Sequence, residues 1–398
     1  MDIPFNAPYI TGHEIEYIKA VLDDGHLCGD GKFSQLCHAW LEDELGCASA
    51  LLTPSGTAAL ELAALLLDIR QGDEVIMPSF TFVSTANAFV LRGAQVVFVD
   101  IRPDTLNIDQ DQVAKAITSK TRAIVPVHYA GIGCDMPAIL RTAQEANVAV
   151  VEDAAHAIMS TYDGKPLGSF GSLAALSFHE TKNLVAGEAG ALIINDENLV
   201  ERAEIIREKG TNRNQFFRGQ IDKYTWQALG SSYLPSELQA AFLWAQMEQA
   251  MMITASRQLS WEHYHKSLEP LEQHDFLRRP IVPELAMQNG HIYYVLTRTA
   301  ATRNELMDYL RKRKVSTVFH YMPLHDTPGA RYHSRNFGDL SVTSDVSQRL
   351  LRLPMSVGLT TQQIDFVVSC INDFFTGKLG PDVTSRNETP TEILNSLQ

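Results

Sequence analysis

Residues 148–153 read VAVVED, a continuous apolar run that ends in two acidic residues. Six further short apolar runs, with helical stretches between them, occur at 50–52, 74–77, 95–100, 123–127, 174–178 and 191–195. Continuous runs are typical of strands that are buried on both faces, whereas half-exposed strands alternate apolar and polar residues. Because helices separate the runs, we predict an α/β fold whose sheet is mostly parallel.

The rest of the chain predicts a second, smaller unit. A long helical region at 235–268 would connect to it, and residues 292–296 and 315–320 are expected to be strands. The sequence 377–398 is polar and aperiodic, which predicts a flexible tail. We therefore expect a large domain at 1–250 that includes an N-terminal segment, a smaller α/β domain at 251–376, and a tail at 377–398.

Composition limits the classes of function. The chain has 398 residues, with 33 Lys and Arg against 47 Asp and Glu, and this acidic balance disfavours nucleic-acid binding. No apolar run reaches the roughly 18 residues of a membrane-spanning helix, and the first residues lack the features of a secretory signal. Five cysteines without CxxC spacing disfavour a disulfide framework or a zinc site. We therefore expect a cytoplasmic protein without a metal, a membrane or a nucleic-acid partner.

A turn of small residues, TPSGT at 53–57, follows the run at 50–52 and begins a helical stretch. The first N–H groups of a helix are free and carry positive potential, so such a turn binds anions. The hydroxyls of Ser55 and Thr57 could add further donors to such an anion site. An ordinary helix cap explains the same residues, because Ser and Thr favour helix starts.

Chemically useful side chains follow two other runs. Strand alternation turns Glu152 and Asp153 to opposite faces, so only one of them can face a ligand, although a helix cap would also explain a carboxylate there. Lys182 lies in SFHETKN, residues 177–183, between two predicted buried strands. A lysine in a concave apolar site can lose its proton and form a Schiff base, whereas most lysines are simply solvated.

Two aromatic residues, Phe80 and Phe82, follow the run at 74–77, and one of them could stack on a flat ring, although core packing explains them as well. Together, an anion cradle, a carboxylate, an aromatic ring and a lysine are what pyridoxal phosphate requires. The anion cradle would hold the phosphate, and the carboxylate would keep the pyridine nitrogen protonated. The aromatic residue would stack on the ring, and the lysine would form the Schiff base. The combination therefore predicts this cofactor.

At these motifs the sequence resembles the sugar aminotransferases of the DegT/DnrJ/StrS family. The resemblance extends from about residue 3 to residue 375. Within the family, the subgroup that forms dTDP-4-amino-4,6-dideoxygalactose resembles this chain most at IPFNAP (3–8), LCGDG (27–31), 74–93, SFHETKN (177–183) and REKGTNR (207–213). It implies the pyridoxal-phosphate-dependent transferase fold type I, like that of aspartate aminotransferase. It also implies a homodimer with active sites at the subunit interface.

The resemblance also implies roles for individual residues. Lys182 falls on the Schiff-base lysine, and Asp153 on the acid that pairs with the pyridinium nitrogen. The other implied cofactor contacts are Gly56, Thr57, Phe82, His156, Ser177 and Ser232. Ser232 stands where many relatives place an Asn from the neighbouring chain, so this contact departs from the family pattern. His156 taken alone is better explained by a structural role than by ligand binding.

The implied reaction moves an amino group from L-glutamate to C4 of dTDP-4-dehydro-6-deoxy-D-glucose, for bacterial surface polysaccharides such as lipopolysaccharide or enterobacterial common antigen. Two alternatives keep the aminotransfer: the substrate is another keto nucleotide sugar, or the product is the gluco epimer. Two others change the reaction. The protein would be a pyridoxal-phosphate-dependent sugar dehydratase, although that branch has His at the Schiff-base position, or a desulfurase or lyase that uses Cys134. The diphosphate could meet a basic stretch that is equally explained as a solvated face: Arg207, Lys209, Arg213 and Arg218. Residues 320–325 resemble a family segment near the active site.

Overall fold

The computed structural model describes residues 2–377. The predicted tail at 377–398 therefore lies outside the described residues, apart from Gly377. None of the helices within 2–377 combines the length and the apolar character needed to cross a membrane.

The strands in this range are β1 (Ser49–Thr53), β2 (Glu74–Pro78), β3 (Gln95–Val99), β4 (Thr121–Ile124), β5 (Ala149–Asp153), β6 (Thr161–Tyr162), β7 (Lys165–Pro166), β8 (Leu173–Ser177), β9 (Gly190–Ile194), β10 (Leu277–Arg278), β11 (Ala286–Met287), β12 (Tyr294–Thr297), β13 (Ser334–Asn336) and β14 (Leu350–Arg352). The α-helices are α1 (Glu14–Asp24), α2 (Lys32–Leu45), α3 (Gly56–Leu66), α4 (Val83–Val90), α5 (Gln110–Ala116), α6 (Met136–Ala146), α7 (Val200–Arg207), α8 (Arg213–Phe217), α9 (Glu237–Met247), α10 (Ala250–Ser267), α11 (Glu269–Gln273), α12 (Ala300–Lys312), α13 (Ala330–His333), α14 (Ser341–Arg349) and α15 (Thr361–Gly377).

The main sheet has eight strands in the order β1-β9-β8-β5-β4-β2-β3-β13. Neighbours are parallel from β8 through β13, and β9 runs antiparallel to both β8 and β1. The predicted α/β fold with a mostly parallel sheet is confirmed, and each of the seven predicted runs overlaps a strand of this sheet. Because β1 and β8 are both antiparallel to β9, they run in the same direction.

The sheet is covered by helices on both faces. Leu192 and Ile194 of β9 pack in one core cluster with residues of α3, α4 and α7. The alternate residue Ile193 packs in the opposite cluster with residues of α2 and α9, while α5 and α6 cover the same face further along, beside Ile76. Each such fully buried side chain contributes roughly 1.5–3 kcal/mol, which explains why the runs are continuously apolar.

A second core lies in the C-terminal part of the chain. The antiparallel strands β10, β12 and β14 pack with α10, α12 and α15. Ile3 joins this core and pairs with Val315, and β13 extends the main sheet beside β3. The chain therefore crosses between the two cores more than once, and the predicted division at residue 250 stays a prediction.

The helical region predicted at 235–268 is present as two consecutive helices, α9 and α10. One local prediction was wrong. The strand predicted at 315–320 does not form, because its residues pair with different segments: Val315 bridges to Ile3 and Val318 to Arg352, while Phe319 is exposed. An apolar run shows that side chains are buried but not which partner strand receives them.

Candidate active site

A cavity of about 390 Å³ lies where the carboxyl ends of β1, β2, β5 and β8 meet. Open α/β sheets bind ligands at this edge. Seven of the eight predicted site residues line the cavity: Gly56, Thr57, Phe82, Asp153, His156, Ser177 and Lys182. The eighth, Ser232, lines a different cavity.

The start of α3 forms one end of the cavity. The Ser55 hydroxyl caps this helix by accepting a hydrogen bond from the Ala58 N–H at 3.1 Å, and the N–H groups of the first turn have no partner inside the helix. A Cβ at Gly56 would lie 3.0 Å from the Ser177 Cβ, and a Cβ at Gly190 would lie 2.4 Å from the Ser55 carbonyl carbon. The two glycines therefore let the start of α3, the end of β8 and the start of β9 approach one another closely around a concave group of N–H donors.

Asp153 ends β5 and is 5% exposed. Its Oδ2 accepts a hydrogen bond from the Thr85 hydroxyl at 2.7 Å, and its Oδ1 accepts one from the Ala155 N–H at 3.2 Å. Glu152 points to the opposite side, where it pairs with His128 at 2.8 Å. The expected alternation holds, and Asp153 is the acid that faces the cavity.

Lys182 enters the same cavity from the connection between β8 and β9. Burial lowers the pKa of its amine to about 8, although the nearby carboxylate of Asp153 acts in the opposite direction. The charge of Arg352 lowers that pKa further. An amine with this pKa is neutral far more often at pH 7 than an ordinary lysine, so it can act as a nucleophile and a base.

A group of rings closes the side of the cavity that is formed by the C-terminal part of the chain. The ring centroids of His156 and His291 are 4.3 Å apart, and those of His320 and Tyr321 are 3.7 Å apart. Burial and the charge of Lys182 hold the pKa of His156 well below its usual value, so its ring is neutral. Its Nδ1 accepts from the Ala130 N–H at 3.3 Å, which leaves Nε2 to donate to the Tyr321 hydroxyl, also at 3.3 Å.

The sequence analysis missed three residues that shape the site. Thr85 positions Asp153, and His291 and Arg352 line the cavity. The latter two lie more than 100 positions from Lys182, and no local pattern links them to it. Of the segment 320–325, His320 and Tyr321 reach the cavity, whereas His325 contacts Ser79 through its Nδ1 at 2.7 Å.

The second cavity measures about 740 Å³ and contains Ser232 together with all four residues of the basic stretch. Each of these cations has a carboxylate partner: Arg207 pairs with Asp30 at 2.8 Å, Lys209 with Glu208 at 3.1 Å, Arg213 with Glu208 at 2.9 Å, and Arg218 with Glu204. Arg207 is buried, and the four cations share three carboxylates, since Glu208 pairs with both Lys209 and Arg213. The two interpretations of the stretch, diphosphate binding and a solvated face, both stay predictions.

Cys134 does not line the active-site cavity. It is buried, and its thiol donates to the Val127 carbonyl at 3.3 Å. The geometry therefore does not place Cys134 where desulfurase or lyase chemistry would require a reactive cysteine.

Comparison with known proteins agrees with this geometry. A model of the DegT/DnrJ/EryC1/StrS aminotransferase family matches residues 8–372. GDP-perosamine synthase from Escherichia coli O157:H7 is 31% identical over 379 residues, which cover 94% of this chain and 99% of that protein. Spore coat polysaccharide biosynthesis protein SpsC from Bacillus subtilis (strain 168) is 32% identical over 386 residues, which cover 94% and 97%.

Among solved structures, the aminotransferase TlmJ from Streptoalloteichus hindustanus has a TM-score of 0.86 at 28% sequence identity. The match covers 95% of this chain and 100% of that chain, and it confirms the predicted transferase fold. The family model matches most of the chain, and the motif residues gather in one cavity. This chain therefore belongs to the DegT/DnrJ/EryC1/StrS aminotransferase family, and its cofactor is pyridoxal phosphate.

Proposed function

We propose that the protein transfers the amino group of L-glutamate to C4 of dTDP-4-dehydro-6-deoxy-D-glucose, giving dTDP-4-amino-4,6-dideoxy-D-galactose. The observation that carries aminotransfer is the meeting of Lys182 and Asp153 in one cavity. The choice of nucleotide sugar is supported by the resemblance at residues 3–8, 27–31 and 207–213. A relative named for spore coat polysaccharide biosynthesis supports a product used in bacterial surface polysaccharides.

The cavity fits pyridoxal phosphate at each of its parts. The start of α3, with Gly56, Thr57 and Ser177, would hold the phosphate, since side chains are excluded there and N–H donors converge. Asp153, fixed by the Thr85 hydroxyl, would hold a proton on the pyridine nitrogen. Phe82 is 57% exposed at the start of α4 and would cover the ring.

His156 would be a second ring beside the cofactor. This imidazole is buried and neutral, so it would add no charge to the site. Its hydrogen bonds to Ala130 and Tyr321 fix its orientation. Phe82 and His156 both line the cavity and would both be available to contact the cofactor ring.

When bound, pyridoxal phosphate supplies an aldehyde that bonds reversibly to amines and a ring that accepts the electron pair of an adjacent C–H bond. The amine of Lys182 would hold the cofactor and would give way to the amine of L-glutamate. The Nζ of Lys182 would then be free to take the proton from the amino-acid α-carbon and to return a proton. Hydrolysis by one water would release 2-oxoglutarate and leave the amino group in the site, and Lys182 would move protons in the reverse order for the keto sugar, whose condensation returns the water.

The protein is proposed to act as a cytoplasmic homodimer, with Ser232 reaching the neighbouring subunit's site. Support comes from two large apolar side chains that one protomer leaves exposed, Phe217, which lines the second cavity, and Trp226, which is 80% exposed. Exposed aromatic groups of this kind mark protein interfaces. The domain division near residue 250 belongs to the same proposal.

A second candidate substrate is a GDP-linked 4-keto sugar, because a GDP-perosamine synthase is 31% identical over nearly the whole chain. Incubation of the protein with L-glutamate and, in separate reactions, dTDP-, GDP- and UDP-linked 4-keto-6-deoxy sugars distinguishes the two. We expect the dTDP substrate to react with at least a tenfold higher kcat/KM, and NMR to show an axial amine at C4. Preference for GDP, or an equatorial amine, would overturn the proposal.

A further inference from the structure

Three side chains beside the active-site cavity, those of Asn183, Asn289 and His291, are joined by hydrogen bonds that fix their orientations. The Nδ2 of Asn289 donates to two backbone carbonyl oxygens at 2.8 Å each, and its Oδ1 accepts from the N–H of His291 at 3.0 Å. The Nδ2 of Asn183 donates to the Asn289 carbonyl at 2.9 Å. Because a carbonyl oxygen only accepts hydrogen bonds, neither amide can be turned around.

The orientation of Asn183 determines which nitrogen of His291 carries the ring proton. With its Nδ2 facing a carbonyl, Asn183 presents its Oδ1 to the Nδ1 of His291 at 2.8 Å, so Nδ1 is the protonated nitrogen. Burial, followed by the charge of Lys182, holds the pKa of His291 well below its usual value, so the ring is neutral. The Nε2 of His291 is therefore a bare acceptor.

This Nε2 is the polar atom that His291 has left to offer to the cavity. His291 lines the cavity, and within residues 2–377 its Nε2 receives no hydrogen bond. The neighbouring ring differs, since the Nδ1 of His156 accepts from a backbone N–H and its Nε2 is a donor. The two imidazoles, whose centroids are 4.3 Å apart, therefore present opposite hydrogen-bonding groups. A donor inside the cavity would complete the hydrogen bonding of His291.

The surroundings of His291 indicate which donor this is. Among the charged groups, Lys182 acts most strongly on this imidazole, ahead of Arg257 and Arg352. The guanidinium of Arg257 already donates to two backbone carbonyl oxygens. Asn183, which fixes the imidazole, directly follows Lys182 in the chain, so one short segment holds both the lysine and the ring.

We propose that the Nε2 of His291 accepts a hydrogen bond from the Nζ of Lys182 whenever this amine is not bonded to the cofactor, and so holds it ready for proton transfer. Lysine has a flexible four-carbon stem, and proton transfer requires a narrow range of geometries. His291 takes no proton itself. The proton of the α-carbon goes to Nζ, its electron pair goes to the cofactor ring, and Nζ later returns the proton. His291 is thus a positioning residue that acts through Lys182.

This inference rests on the use of Lys182 as the base in the proposed function, but not on the choice of sugar. The test therefore uses the amino-donor half-reaction in both directions: L-glutamate with the holoenzyme, and 2-oxoglutarate with the enzyme whose cofactor carries the amino group. Because Lys182 moves the proton in each direction, a residue that positions it should affect both rates alike. The sugar half-reaction provides a third rate.

Two substitutions separate the two nitrogens of the ring. The amide of Asn lies at the position of Nδ1, so His291→Asn keeps a donor for Asn183 but has no acceptor at the position of Nε2. The amide of Gln reaches that position, so His291→Gln restores an acceptor there. For His291→Asn we expect kcat to fall about 10- to 100-fold in all three rates, while KM changes less than about threefold. His291→Gln should recover part of the loss.

Two further measurements report the proton transfer and the amine directly. The isotope effect on kcat with α-deuterated L-glutamate should increase in His291→Asn, because removal of the α-proton becomes the slow step. In cofactor-free protein, the midpoint of the pH profile for pyridoxal phosphate capture should move to lower pH, because the charged amine loses an acceptor. Arg352, which lowers the pKa of Lys182 together with burial, and Asp153, which raises it, are unchanged in this variant.

His263→Asn is the matched control. His263 is part of α10 and does not line the cavity, and its Nε2 contacts Asp365 at 2.7 Å. The substitution removes an imidazole in the same way but leaves the surroundings of Lys182 intact. We expect its rates, its isotope effect and its capture profile to equal those of the wild-type protein.

Full activity of His291→Asn would overturn the inference. A loss confined to KM or to one half-reaction would do so as well, because it would make His291 a substrate contact. An unfolded His291→Asn protein would contradict the claim that the Nδ1 contact is the structural one. Nitrogen NMR of protein with isotope-labelled histidine tests the tautomer, and a proton on Nε2 would refute it. If the wild-type protein reacts with L-glutamate but not with the dTDP-linked sugar, only the proposed substrate fails.

Discussion

The active-site cavity and the second cavity both contain positive side chains, but only the active-site cavity leaves these charges without a paired carboxylate. In the cavity at the sheet edge, Lys182 and Arg352 make no ion pair with any residue in 2–377. In the second cavity, each cation of the basic stretch has a carboxylate partner. The number of cations in a stretch of sequence therefore predicts little. Their positions in the fold show which of them have a carboxylate partner.

The largest expected effect separates the two lysines of this comparison. Lys182→Ala should lower turnover by about 10³-fold or more, because both the attachment of the cofactor and the proton transfer are lost. Lys209→Ala, in the second cavity, should change turnover by less than about threefold, since the amine of Lys209 is half exposed and Glu208 keeps Arg213 as a second partner. Steady-state kinetics and the absorbance of the bound cofactor measure both. Normal turnover by Lys182→Ala protein would refute the assignment.

A smaller effect concerns the pH dependence of cofactor capture. The neutral amine of Lys182 is the reactive form, and burial lowers its pKa to about 8. The rate at which cofactor-free protein captures pyridoxal phosphate should therefore rise about tenfold per pH unit below pH 8 and level off above it. Stopped-flow absorbance measures this rate between pH 6 and pH 10.

The control for this profile is Asp153→Asn. The carboxylate of Asp153 raises the pKa of Lys182, so its removal should move the midpoint of the capture profile to lower pH. A midpoint near the ordinary lysine value of about 10.4 would contradict the claim that burial tunes this amine.

The smallest expected effect lies in the second cavity. Arg218→Gln should change KM for the nucleotide sugar by less than about twofold, because Arg218 is already paired with Glu204. A tenfold increase in KM would instead support diphosphate binding by the basic stretch, in which Arg218 exchanges its carboxylate partner for the substrate. Steady-state kinetics with the sugar as the varied substrate decides between the two.

Much of the fold could be predicted because local patterns of apolar residues indicate where its strands lie. The seven apolar runs of the main sheet report strands that are buried on both faces. The antiparallel direction of β9 could not be predicted, because an apolar run has the same pattern in parallel and antiparallel strands. The edge strand β13 was missed because its residues are polar and at least partly exposed, so they carry no apolar signal.

The residues of the active-site cavity likewise fall into those that local sequence patterns predict and those that they do not. Asp153, Ser177 and Lys182 follow strands, and strand ends in an α/β sheet meet at one edge, so sequence reasoning could place them together. Arg352 and His291 reach the cavity from the C-terminal part of the chain, through packing that no spacing reports. Thr85 acts only by its hydrogen bond to Asp153, which requires the orientation of α4 to be known.

The most direct test of the account is chemical mapping of the lysine that holds the cofactor. Borohydride reduction of the holoenzyme converts the lysine–cofactor bond into a stable amine, and peptide mass spectrometry then locates the added pyridoxyl group. The account predicts the modification on Lys182, and its loss when L-glutamate is added before reduction. Modification of a different lysine, for example Lys209 in the second cavity, would contradict it.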